Sequence, residues 1–217
     1  MGIADLAVFD WGGVVIDGAG AESVRGRAAG PDAVPVGLRR RMPKFSLAAV
    51  RCGVGVATPG CELVFASRYG DVTTALVLSQ AIVGSDLLSP SAFSACVHNA
   101  APGLTAQVIG EKSSHTAIAA GEVSLAAGLL EAWLRLSVGE ASQVVVLFAE
   151  QPMPGAYAGF DHEPDAPFVA LALRLGLGAG GAAAEVGPGR TGALTLLGAL
   201  EAGATAVAVS TDMRVAA

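Results

Sequence analysis

The stretch SHTAIAAGEVSLAAGLLEAWLRLSVGEASQVVVLFAEQ, residues 114–151, decides the fold. It reads as a strand (SHTAIAAG), a helix (EVSLAAGLLEAWLRLSVG, 122–139) and a second strand (SQVVVLFAEQ), closed by the turn QPMPG. A strand, a crossover helix and another strand form the repeating unit of an α/β domain with a largely parallel central sheet.

The same alternation extends outward. Downstream, the polar loop GFDHEPDAP (159–167) leads into a strand, FVALALRLG. A glycine-rich turn, the helix TGALTLLGALEAGA and the strand TAVAVST follow. Upstream, Ser89 and Pro90 mark a helix start in SPSAFSACVHNAAPGLTAQVIG, and Asp71 caps the helix DVTTALVLSQAIVG. Before these come the strand CELVFASRYG and a helix from Arg39, RRRMPKFSLAAVRCGVGVA. Its Phe45, Ala48, Ala49 and Cys52 recur at steps of three and four. A Gly/Ala/Pro-rich stretch to Gly37, expected to be mobile, separates this helix from a first strand within DLAVFDWGGVVID (5–17). No period of 20–50 residues marks a repeat. The expected organisation is one domain over 1–217: first strand and mobile segment (1–38), core (39–175), and a terminal turn, helix and strand (176–217).

The composition limits the function classes. Of 217 residues, 53% are hydrophobic and 15% charged, with a mean hydropathy of +0.58. Charges interrupt every apolar run before about 18 residues, so no membrane span is expected. No basic region precedes the first apolar segment, which argues against a signal peptide. A net charge of −6 leaves no footprint for nucleic acid. Three cysteines (Cys52, Cys61 and Cys96) suggest no disulfide framework and fit a reduced, cytoplasmic setting. So much apolar surface with so few charges suggests burial against a partner.

Four local signals offer chemistry. LAVFDWGGVVID resembles the opening motif of haloacid-dehalogenase-type phosphatases, with Asp10 as nucleophile, but Gly12 stands where that family has its second carboxylate. Asp161, His162, Glu163 and Asp165 have the side chains of metal ligands. Neighbours on one loop point apart, however, and a solvated loop with no metal is expected. Gly176-x-Gly178-x-x-Gly181 matches a dinucleotide fingerprint, yet GPG at 187–189 breaks the helix that should follow. Finally, Cys96 and His98 in FSACVHNAAPG suggest a thiol nucleophile and its base. On a helix they would stand about 200° apart, and a lone cysteine is more often a small core residue.

Taken together, residues 88–151 resemble the N-terminal half of β-ketoacyl synthases of the thiolase fold. The likeness is strongest to half-length, chain-length-factor-like proteins of aryl polyene and other type II polyketide systems. It rests on SP…F…VHNAA.G, a strand, A.AAGE.S.AAGLLEA and VVVLFAE in order, and extends over about 39–174. DWGGVVIDGAGAES also suits that family's first strand and turn, which accounts for the phosphatase lookalike. In those synthases a cysteine at the turn before the long helix takes the acyl chain, helped by the helix dipole. The resemblance places that position on Gly121, followed by Glu122. The family's catalytic histidines and lysine have no counterpart, so a catalytically silent subunit without cofactor is implied. Its implied partners are a full-length β-ketoacyl synthase, as a heterodimer, and transiently an acyl carrier protein. Phe93, Cys96, Val97, His98, Asn99, Ala100 and Ala101 would line the interface and the end of the acyl tunnel, with Val97 as gate. Pro102 is expected to kink or end a helix there. Arg39, Arg40 and Arg41 are candidates for carrier-protein contact. The alternatives are an independent enzyme, using Asp10 or Cys96 and His98, and a homodimer burying the same face.

Overall fold

The computed structural model describes residues 4–178 and 181–209. The first strand, β1 (Ala4–Ile16), turns back into β2 (Glu22–Gly26), a hairpin inside the stretch expected to be mobile. Asp17 accepts hydrogen bonds from the Ala19 and Ala21 N–H groups and closes this turn. The helix expected from Arg39 is two helices, α1 (Val36–Arg39) and α2 (Lys44–Val56). Pro43 separates them: a proline ring is tolerated at a helix start but not within one.

Then follow β3 (Glu62–Ala66), α3 (Val72–Gly84), α4 (Pro90–Cys96), α5 (Ala100–Ile109), β4 (His115–Ile118), α6 (Ser124–Ser137) and β5 (Val144–Glu150). The chain closes with β6 (Phe168–Leu177), β7 (Ala183–Ala184), α7 (Gly189–Glu201) and β8 (Ala206–Val209). Asp71 and Ser89 cap α3 and α4 as their residue types predict. Pro102 neither kinks nor ends a helix. It occupies the first turn of α5, where its missing N–H has no intrahelical acceptor to lose. The last two residues of the expected strand TAVAVST, and two of the glycine-rich turn, lie outside the described residues.

The sheet order is β4-β3-β5-β6-β1-β8-β7, with β2 also on β1. β3 pairs in parallel with both β4 and β5, whereas β6 runs antiparallel to β5 and β1. The result is a mixed α/β sheet in which β1, β3, β4 and β5 point the same way. Period-two alternation divides the core. Val144, Val146 and Phe148 of β5 join Leu125, Leu129, Leu196 and Leu197 of α6 and α7 on one face. Val145, Leu147 and Ala149 join Phe45, Ala48 and Ala49 of α2 on the other. β5 is buried throughout, as the apolar run VVVLFAE implies. α6 lies close on the sheet because of Gly128, where a Cβ would sit 2.9 Å from that of Ala66.

α3 is the exception to this burial. It is mostly apolar, but only Leu78 is buried. The surface it shares with the following turn and α4 carries Val77, Ile82, Val83, Leu87, Leu88 and Phe93, all exposed.

Candidate functional site

The site lies beyond the carboxyl ends of β3, β4 and β5, where α6 and α7 begin. After β4 the chain makes a sharp turn at Gly121, whose φ is +59°. The Ser124 hydroxyl fixes this elbow by donating to the Gly121 carbonyl (2.6 Å) and accepting from the Ala120 N–H (3.0 Å). A side chain at residue 121 would meet no atom within 4 Å, so packing does not demand glycine here. The left-handed backbone does favour it.

Charged groups surround the elbow. The Glu122 carboxylate lies 3.4 Å from Arg68 Nη1 and 3.1 Å from His162 Nδ1. Glu150, at the end of β5, is buried and accepts a hydrogen bond from the Arg68 N–H. Burial pushes its carboxyl up to about 7 against the opposing pull of that hydrogen bond and of Arg190 and Arg68. Arg190, in the first turn of α7, donates to the carbonyls of Gln151 (2.9 Å) and Glu163, and its Nη2 meets both Asp161 oxygens at 2.9 and 3.1 Å.

The segment following β5 thus straps down over the elbow. Glu163 caps α7, accepting from the Arg190 N–H (2.7 Å) and the Thr191 N–H (2.9 Å). Burial alone would raise Asp161. The Met153 and Glu163 N–H groups together with Arg190 outweigh it and hold that carboxyl below its ordinary value. Hydrogen bonds from Thr191 and Arg190 do the same for Glu163. Beneath the strap remains a cavity of about 20 Å³, room for a single water. A wider cleft of about 480 Å³ opens on the other side of Gln151, between Lys44, Thr73, Asp165 and Phe168.

The loop read as a solvated GFDHEPDAP is therefore largely structural. Asp161 and Glu163 hold Arg190 and α7, His162 meets Glu122, and Asp165 lines the wider cleft. Among the described residues no group of three or more His, Cys, Asp or Glu side chains is arranged for a metal ion. Asp10 is remote from the site. It sits mid-strand beside a bulge in β1, with its carboxylate on Arg174 Nη2 (2.6 Å) and Arg27 Nη1 (3.2 Å). A phosphatase nucleophile would stand at the strand end, near Ile16.

Cys96 and His98 do not meet either. α4 ends at Cys96, and Val97 is extended. The Cys96 thiol donates to the Phe93 carbonyl, and burial together with the Asp71 charge pushes its pKa above the ordinary value. His98 Nε2 bonds the Ser67 carbonyl at 2.9 Å while its ring packs edge-on against Phe65. Of the other interface candidates, Phe93 (62% exposed), Val97 (41%) and Asn99 reach the surface, whereas Ala100 and Ala101 are buried in the first turn of α5. Arg39 is paired with Asp32 at 2.5 Å, while Arg40 and Arg41 are exposed.

A mixed five-strand core in the order β4-β3-β5-β6-β1, with a tight elbow leading into the helix packed on it, is the architecture of the thiolase-like α/β proteins. Within it, the chain belongs to the β-ketoacyl synthase N-terminal domain family, whose model matches residues 21–206. It is similar in structure to a chain of the ketosynthase (ApeO) in complex with its chain length factor (ApeC) from Xenorhabdus doucetiae. That match has a TM-score of 0.71 and 23% identity over 90% of this chain and 91% of that one. The ishigamide ketosynthase/chain length factor matches at TM-score 0.61 and 16% identity, over 80% of this chain and 62% of that one. A β-ketoacyl synthase from Burkholderia phymatum matches at 0.62 and 14%, over 81% and 59%. No curated protein matches the chain in sequence. Among the described residues no helix is long and apolar enough to cross a membrane.

Proposed function

We propose that the protein is a non-catalytic ketosynthase-like subunit, a chain length factor. It pairs with a full-length β-ketoacyl synthase and shapes the tunnel that receives the acyl chain during carrier-protein-dependent elongation. The product class is an aryl polyene, a related polyketide or a fatty-acid-like chain. The observation that carries this proposal is the elbow itself. A condensing enzyme needs a nucleophile at the start of the central helix with space for its acyl group. Here Gly121, with no side chain, supplies no nucleophile.

Pairing is supported by the apolar surface of α3 and α4, where Leu87 is fully exposed and Val83 88% exposed. A soluble monomer rarely leaves such a contiguous patch uncovered. Among the described residues β4 pairs only with β3, which leaves one side of that strand free to extend a sheet across an interface. Val97 and Phe93 stand on this surface, and Val97 is the proposed gate: its volume sets how far a chain reaches. Arg40 and Arg41, with Arg39 behind them, are the proposed contact for an acidic carrier protein.

Co-expression with a candidate ketosynthase, size-exclusion chromatography and a chain-elongation assay test the proposal. The expected result is a one-to-one complex that elongates only with both chains present, with shorter products from Val97→Trp. A chain that stays monomeric, pairs only with itself, or becomes acylated on Cys96 would overturn it.

A further inference from the structure

A cleft of about 320 Å³, open to solvent, lies between the α1–α2 turn, α4 and α5, and takes no part in the elbow. Its walls include Leu38, Met42, Ala95 and Leu104, with Arg41 as the one charged lining residue. Neither Phe93 nor Val97 lines it, although α4 contributes Pro90, Ser91, Ser94 and Ala95 to one wall. Its volume falls in the range of small-molecule sites, which combine apolar walls with a few orienting polar groups.

Arg41 gives the cavity its sign. The neighbouring Arg39 is held by Asp32, but Arg41 has no carboxylate partner among the described residues. Its guanidinium is free to grip a carboxylate with two parallel N–H donors. The Ser94 hydroxyl at the rim donates to the Pro90 carbonyl at 2.9 Å and has no proton left for a ligand. One cationic fork beside a mostly apolar cleft matches a molecule with one anionic end and a hydrocarbon body.

We infer that this cavity binds a free medium-chain carboxylate, its alkyl chain among Leu38, Met42, Ala95 and Leu104 and its carboxylate on Arg41. A carrier-bound acyl chain does not fit the same chemistry, because a thioester brings no charge to Arg41. Because α4 and Arg41 also belong to the proposed partner and carrier-protein surfaces, the site is tested on the isolated chain, where neither competes for it.

The experiment is calorimetric titration of the purified protein with decanoate below its micellar concentration, with decanol and decyltrimethylammonium as tail-matched controls. Saturable one-to-one binding of decanoate is expected, weakened roughly tenfold or more by Arg41→Glu and retained in part by Arg41→Lys. Ser94→Trp, an exposed substitution that fills the cavity, should abolish binding without changing the circular dichroism spectrum. No saturable binding, equal binding of all three probes, or decanoate binding that survives both Arg41→Glu and Ser94→Trp would overturn the inference.

Discussion

Arg190 Nη2 lies 2.9 Å from Asp161 Oδ1, and the two side chains are only 5% and 7% exposed. This buried pair fastens the segment after β5 to the start of α7, and with it the strap over the elbow. Removing one partner of a buried pair strands the other charge, which typically costs more than the intact pair contributes. Arg190→Met should therefore lower the unfolding free energy by about 3–5 kcal/mol. Asp161→Asn, which keeps an acceptor for the guanidinium, should cost less. Denaturant titration of the two variants checks the order.

Glu150 gives stability an unusual pH dependence. Its folded-state value of about 7 exceeds the ordinary 4.5, so the native state binds the proton more tightly than the unfolded chain. Stability from this group is complete below about 4.5 and declines as pH rises through 7, by roughly 3 kcal/mol in all. Asp161 and Glu163 act in the opposite sense. Their depressed values add stability above the ordinary carboxylate range that is lost on acidification. The protein should be most stable near the lower end of the 4.5–7 window. Glu150→Gln, which keeps an acceptor for the Arg68 N–H, should flatten the fall between pH 5 and 8 in thermal melts.

Much of this architecture was legible in the residues. The apolar run of β5 and the caps at Asp71 and Ser89 are local, and local chemistry decided each, whereas the elbow at Gly121 came from the family resemblance. What the sequence concealed depends on distant partners. Pro102 looks like a breaker until the chain breaks first, at Val97, and makes it a first-turn residue. Arg190 follows a Gly-Pro-Gly turn, and nothing adjacent in the chain marks its partners. Its partners Asp161 and Glu163 lie nearly thirty residues earlier and looked like a solvated loop. Glu150, the lone charge at the end of an apolar strand, was a signal that residue-by-residue reading passed over.

The open space above Gly121 allows a direct probe of the elbow. Gly121→Cys should fold, at a cost of about 1 kcal/mol for placing a Cβ on a left-handed backbone. The new thiol would face Glu122 and the buried Glu150, and negative charge disfavours a thiolate. Alkylation by iodoacetamide at pH 7.5 should be no faster than for an ordinary exposed cysteine, and condensing activity should not appear. Rapid alkylation would show that the α6 dipole outweighs those carboxylates.

The α3–α4 surface makes the last prediction. Ile82, Val83 and Leu87 are exposed and make little contribution to the core, so charging them should leave the isolated fold nearly untouched. Val83→Asp combined with Leu87→Glu should change unfolding free energy by no more than about 0.5 kcal/mol. The same pair should abolish association with the ketosynthase, because burying two unpaired carboxylates in an apolar interface costs far more than the contacts return. Analytical ultracentrifugation of the mixed chains measures association, and a melt of the isolated chain measures the fold. Lost association with an unchanged melt identifies the surface as the interface, whereas intact association would place the partner elsewhere, with the free edge of β4 the next surface to block.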